Sequence, residues 1–121
     1  MNKIIGEPGS SRTTYQHENP DWVIKKPNTT SHRHKNLQEW KTWQLAVEKG
    51  IEELLVPCVK CAPDGDWLIM ERAELLEDKR ERPPKLPWMH DAGWKNWGVH
   101  NGRKKLLDYA SSEIYKRLKQ L

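Results

Sequence analysis

The chain predicts an α+β fold built on a mainly antiparallel sheet. Three observations carry that expectation. Short runs rich in Thr, Val, Ile, Tyr and Trp recur between turn residues, the pattern of half-buried strands. One stretch, 36–49, holds Leu37, Trp40, Trp43 and Val47 at three- and four-residue steps, the period of an amphipathic helix. An Asp64-Gly65 step separates two apolar runs, as in a tight hairpin. The resulting order is three strands, a helix, two strands, a loop with a small hairpin, and a last helix.

Taken in order, Lys3 to Ile5 opens the first strand, and Gly6-Glu7-Pro8-Gly9-Ser10-Ser11 is turn-rich. Arg12 to Gln16 has strand composition, residues 17–21 form a turn, and Trp22 to Lys25 is a third strand. Residues 27–35 are polar and read as a loop. The helix runs over 36–49 and Gly50 stops it. Leu54 to Cys61 and Trp67 to Arg72 form the second hairpin about Pro63-Asp64-Gly65. Residues 74–87 are charged, with one or two helical turns expected before Pro83-Pro84. Trp97 to Val99 and Lys105 to Leu107 are two short strands around His100-Asn101-Gly102. Ser111 or Ser112 caps a last helix with Ile114, Leu118 and Leu121 on one face.

Composition narrows the class. At 121 residues one domain is expected, with a limited core, since apolar residues are 36% and charged ones 31%. No Phe occurs but there are seven Trp, a residue that favours grooves and interfaces because its N–H wants a partner. The net charge of +4 suits a polyanionic partner without choosing between nucleotide and nucleic acid. No apolar run approaches the length of a membrane span and no signal-peptide stretch opens the chain, so a reduced, cytoplasmic setting is expected. Two Cys cannot build a disulfide scaffold.

The residues that carry chemistry lie near the C-terminus. Asp91 and Asn96 are five apart, Asn96 leads into Trp97-Gly98-Val99, and Asp108 ends the apolar run Leu106-Leu107 before Tyr109-Ala110. Carboxylate and amide oxygens are hard ligands that suit magnesium, and such a cluster would repel itself without a cation. Upstream stand the loop Gly6 to Ser11, the strand Trp22-Val23-Ile24-Lys25, Glu39 with Asn36 three residues before it, and Leu68-Ile69-Met70-Glu71-Arg72-Ala73.

In this order the motifs resemble the protein-kinase-like superfamily, over roughly residues 4–110. The run Gly9-Ser10-Ser11-Arg12-Thr13-Thr14-Tyr15 is most similar to the opening of short bacteriophage kinase-like proteins. The resemblance implies a minimal kinase-like fold: an N-lobe over 1–73 with a mainly antiparallel sheet and one helix, a linker over 74–87, and a truncated C-lobe over 88–121 holding a catalytic loop, a small hairpin and a terminal helix. It implies ATP and Mg2+ as cofactors. Gly6, Gly9, Ser10 and Ser11 would approach the phosphates. Lys25 would neutralise phosphate charge, paired with Glu39 on the helix. Met70 would stand behind the adenine, with the backbone of Glu71 and Ala73 meeting its edge. Asn96 and Asp108 would hold the metal, and Asp91 would be the catalytic base. Asn36-Leu37-Gln38-Glu39 also fits a helix capping box.

The departures from the pattern matter as much. Pro8 and Ser11 intrude on the glycine loop. Tyr109-Ala110 replaces the aromatic-glycine pair, Gly93 stands where a basic residue is usual, and only residues 74–90 separate the hinge from Asp91. An activation segment and the large helical lobe are missing, so nucleotide binding is the firmer expectation and transfer to a protein or small-molecule hydroxyl the weaker one. Two other readings stand beside it. One is a catalytically inactive, pseudokinase-like interaction protein, such as a phage factor that binds a host protein in the host cytoplasm. The other is a basic nucleic-acid-binding module using Lys79-Arg80-Glu81-Arg82 and Arg103-Lys104-Lys105. A homodimer would cover apolar surface left by the short C-lobe. Cys58-Val59-Lys60-Cys61 with His32 and His34 has partial zinc spacing. Residues three apart on a strand face opposite sides, so packing cysteines are the expectation.

Overall fold

The computed structural model describes residues 3–89 and 93–121. Among these residues two antiparallel sheets and two α-helices form an α+β arrangement. Strands β1 (Arg12–Gln16) and β2 (Trp22–Pro27) form a hairpin, and helix α1 (Arg33–Lys49) follows through a short turn. β3 (Cys58–Cys61) and β4 (Leu68–Glu71) form the next hairpin, with β4 inserted beside β2 to give the order β1-β2-β4-β3. β5 (Glu74–Leu75), β6 (Trp97–His100) and β7 (Arg103–Leu106) make a second, three-stranded sheet. Helix α2 (Ser112–Lys119) packs back on α1.

Local chemistry explains most of these elements. β2 alternates as a half-buried strand should: Val23 and Lys25 turn inward and Lys26 is exposed. The β6–β7 turn is Asn101-Gly102, both with positive φ (51° and 76°), the two-residue turn that matches strand twist. Ser111 caps α2 by accepting from the Ile114 N–H at 3.2 Å.

Several sequence expectations are corrected. Lys3 to Ile5 forms a single bridge, Ile4 with Tyr15, in place of a full strand. The segment 27–35 is not all loop: a 3-10 turn covers Thr30–His32 and α1 begins at Arg33. Asn36 therefore lies inside the helix and caps nothing. The inward stripe of α1 is Asn36, Glu39, Thr42 and Ala46, while Val47 is exposed. A polar stripe is buried because a polar network awaits it, described below. The charged stretch after β4 begins with a strand, β5, and holds only a 3-10 turn at Lys79–Glu81, boxed by Asp78. On α2, Ile114 and Leu118 enter the core but Leu121 is exposed.

The two sheets share one core, which includes Leu55, Leu68, Met70, Leu106, Tyr109 and Leu118. The backbone joins them as well: Val56 N–H donates to the Leu106 carbonyl at 2.8 Å, and Leu55 bridges Leu106 in parallel. Among the described residues no helix is long and apolar enough to cross a membrane.

Candidate functional site

The site is assembled where β1, β2, α1 and residues 107–109 converge. Strand alternation sets its first wall. Thr14 pairs with Lys25 and Arg12 with Pro27, so Arg12, Thr14 and Lys25 share one sheet face. α1 brings Glu39 to that face with no solvent exposure. One Glu39 oxygen, Oε1, accepts from Lys25 Nζ at 2.8 Å and from Arg12 Nη1 at 2.8 Å. The other, Oε2, accepts from the Tyr109 N–H at 2.6 Å. Asn36 completes the wall: its Oδ1 accepts from Arg12 at 3.0 Å, and its Nδ2 donates to the carbonyls of Lys25 and Gly65.

Three consecutive residues after β7 close the network. The Leu107 carbonyl accepts from Lys25 Nζ at 2.7 Å, Asp108 Oδ1 accepts from Arg12 Nη2 at 2.8 Å, and Tyr109 reaches Glu39 as above. Tyr109 also donates its hydroxyl to the Val56 carbonyl at 2.7 Å. Two cations and two carboxylates therefore balance, with every oxygen of the buried Glu39 satisfied. Burial by itself raises the Glu39 pKa, but the Arg12 and Lys25 charges outweigh it and hold the carboxyl at about 2. Burial works against the Arg12 charge, yet Glu39 and Asp108 raise its pKa overall.

This network faces a cleft of about 640 Å³, a size ordinary for small-ligand sites. Gly6, Gly9, Ser10 and Ser11 line it, with Arg12, Lys25 and Asp108. The loop is held by Asn28, whose Nδ2 donates to the Gly9 carbonyl at 2.9 Å and whose N–H donates to the Ser11 carbonyl at 2.8 Å. Lys35 and Lys95 add positive charge to the lining and Trp94 an aromatic face. A smaller apolar cavity of about 60 Å³ adjoins it, sharing Ile5, Lys25, Leu75 and Leu107 as walls. Met70, Glu71 and Ala73 line this second space. Met70 is buried, the Glu71 N–H is taken by the Pro57 carbonyl, and the Glu71 carboxylate meets His100 Nε2 at 2.8 Å.

Asn96 lies in the turn before β6, and its carbonyl accepts from the Leu107 N–H at 2.8 Å. Asn96 and Asp108 thus sit on neighbouring rungs at the open end of the β6–β7 hairpin. Asp108 keeps 47% of its side chain exposed. Among the described residues no group of three or more His, Cys, Asp or Glu could hold a metal ion. Magnesium beside phosphates takes most of its oxygens from the phosphates and water; Asp108 is on the cleft lining and Asn96 is not. Asp91 lies outside the described residues.

The structure therefore brings together Lys25, Glu39, Asp108 and the glycine loop, and places Met70, Glu71 and Ala73 in the adjoining cavity. Arg12 is the residue sequence reasoning missed, although strand alternation from Lys25 through Thr14 puts it on the same face. The cysteine pair and the basic runs lie off the cleft lining. Cys58 is buried against the Tyr109 hydroxyl at 3.2 Å, and Cys61 turns to the Ala62 and Asn36 carbonyls. Burial pushes both thiols up, Cys61 to about 11. The basic runs are largely engaged: Lys105 is buried on His100 Nδ1 at 2.9 Å, Lys104 reaches the Glu81 carbonyl, Arg103 pairs with Glu53 and Arg80 with Asp78.

Compared with known proteins, the chain matches no family model, no curated protein and no solved structure.

Proposed function

We propose that the protein is a minimal kinase-like domain that binds Mg-ATP in the 640 Å³ cleft. The observation that carries this reading is the buried Lys25–Glu39 pair, set on a cleft wall shared with a glycine-serine loop and Asp108. An ammonium fixed by a carboxylate and a backbone carbonyl cannot swing away, so it presents a localised positive charge to phosphate. The loop adds backbone N–H groups and the Ser10 and Ser11 hydroxyls. The adjoining apolar cavity, with Met70 at its wall, offers apolar contact to one edge of a base seated in the cleft. Magnesium, when bound, would neutralise phosphate charge, held by Asp108 and Asn96. With Asp91 as base, the γ-phosphoryl group would pass to a hydroxyl of a protein or small molecule.

Calorimetric titration of ATP, with and without magnesium, tests the site. Wild type should bind with a magnesium-dependent gain, and Asp108→Ala should lose that gain. Lys25→Met should weaken binding by about tenfold or more, as loss of a charge-assisted contact does. An absence of heat at millimolar ATP in wild type would sink the nucleotide reading.

The Arg12–Asp108 bond favours one second reading, a pseudokinase-like interaction protein. An acid already paired within the chain has a structural use that needs no metal. In that case partner binding and folding survive Asp108→Ala and Asp91→Ala.

A further inference from the structure

We infer that Arg12 is the phosphate ligand of the cleft and that Asp108 occupies its guanidinium until an anion arrives. This deepens the nucleotide reading and rests on it.

Arg12 and Lys25 are the two buried cations of the cleft lining, and Arg12 differs in having one exposed partner. Its Nη1 donates to Asn36 Oδ1 and Glu39 Oε1, and its Nη2 donates to Asp108 Oδ1. Two of these, Asn36 and Glu39, have no solvent exposure and belong to α1. They hold the guanidinium plane in place from behind. Asp108 is different, being half exposed on the cleft lining and tied to Arg12 through one oxygen. A planar fork whose inner arm is fixed and whose outer arm holds an exposed carboxylate is built to exchange that carboxylate for another oxyanion. Phosphate matches the same donor geometry. The glycine loop ends at Ser11, directly before Arg12, so an anion under the loop lies beside that outer arm.

The exchange conserves charge pairing. Before binding, Arg12 is paired with Asp108. After it, Arg12 is paired with a phosphate oxygen, and the released Asp108 carboxylate is available to the metal that accompanies the phosphate. Without a metal, the released carboxylate would face the incoming anion unpaired. Metal-free nucleotide should therefore bind poorly to wild type, and Asp108 is the reason.

The test is equilibrium binding in EDTA, using ATP and inorganic triphosphate as separate probes. Asp108→Asn should bind metal-free ATP about tenfold more tightly than wild type, the worth of one charge-assisted hydrogen bond released to the ligand. Its side chain is half exposed, so the variant should fold. Glu7→Gln is the control: Glu7 is exposed, lines the same cleft and does not touch Arg12, so removing its charge should give a much smaller gain. Arg12→Lys in the Asp108→Asn background should cancel the gain while leaving Glu39 a cationic partner. An equal gain in Glu7→Gln, or a gain that survives Arg12→Lys, overturns the assignment of Arg12. If Mg-ATP binds wild type but Asp108→Asn shows no gain, this inference falls and the nucleotide reading stands. If triphosphate shows the whole gain and ATP adds nothing over it, Arg12 is a phosphate ligand and the nucleotide reading falls. If neither probe binds any form in EDTA, this inference falls; the nucleotide reading falls with it only if Mg-ATP also fails to bind wild type.

Discussion

At the scale of single residues, Glu39 is where stability and site chemistry meet. Its carboxylate is fully buried between Arg12 and Lys25, and its pKa is lowered to about 2 from an ordinary 4.5. A group whose folded pKa is depressed stabilises the fold above its unfolded pKa, and that stability is lost as pH falls through the folded value. Wild type should therefore lose about 3 kcal/mol from this group between pH 4.5 and pH 2, read from urea melts at a series of pH values. Glu39→Gln should flatten that limb. At neutral pH the same change should cost about 3–5 kcal/mol, because two buried cations lose their counter-charge. Lys25 and Glu39 were legible in the sequence because each sits in a recognisable run. Arg12 stands in the recognised run Gly9 to Tyr15, but its bonds to Glu39 and Asp108 cross the fold and no local pattern marks them.

At the scale of elements, α1 shows how a tertiary partner can override a hydrophobic pattern. The apolar spacing of Leu37, Trp40, Trp43 and Val47 finds the helix, and Trp40 and Trp43 do pack against the core, but Val47 is exposed and the fully buried positions lie beside this stripe. Asn36, Glu39, Thr42 and Ala46 turn in because the sheet offers Arg12 and Lys25 to meet them. The β3–β4 turn is tied to the same helix. Gly65 has φ near 80°, its carbonyl accepts from Asn36, and a Cβ there would collide with the Arg33 carbonyl oxygen. Gly65→Ala should destabilise by about 2 kcal/mol or more, through strain at a positive φ and displacement of the α1 start. Thermal melts check it. Lys26→Ala, on the exposed face of β2, serves as the neutral comparison.

At the scale of the whole molecule, one short segment joins the two sheets electrostatically. Leu107, Asp108 and Tyr109 each contact a different member of the Lys25–Arg12–Glu39 group, so the second sheet is fastened to the first through the site itself. α2 then covers the back of the core with Ile114 and Leu118. Removal of residues 112–121 should cost about 1.5–3 kcal/mol for each of these two side chains, and the truncated chain should melt well below wild type or fail to fold. Chain truncation with circular dichroism reads that directly. A fold fastened through its candidate site should also be stabilised by the ligand of that site, in proportion to affinity.

The sequence by itself determined the α+β class, the three hairpins, the two helices and the positions of Lys25, Glu39 and Asp108. Local periodicity, turn chemistry and motif spacing act over a few residues and can be read without a partner. Tertiary structure alone decided which face of α1 is buried, that residues 74–75 extend a second sheet, and that Arg12 joins Glu39 to Asp108. Each of those depends on groups far apart in the chain, 96 residues in the case of Arg12 and Asp108. A buried charge can only be placed once its counter-charges have been brought to it.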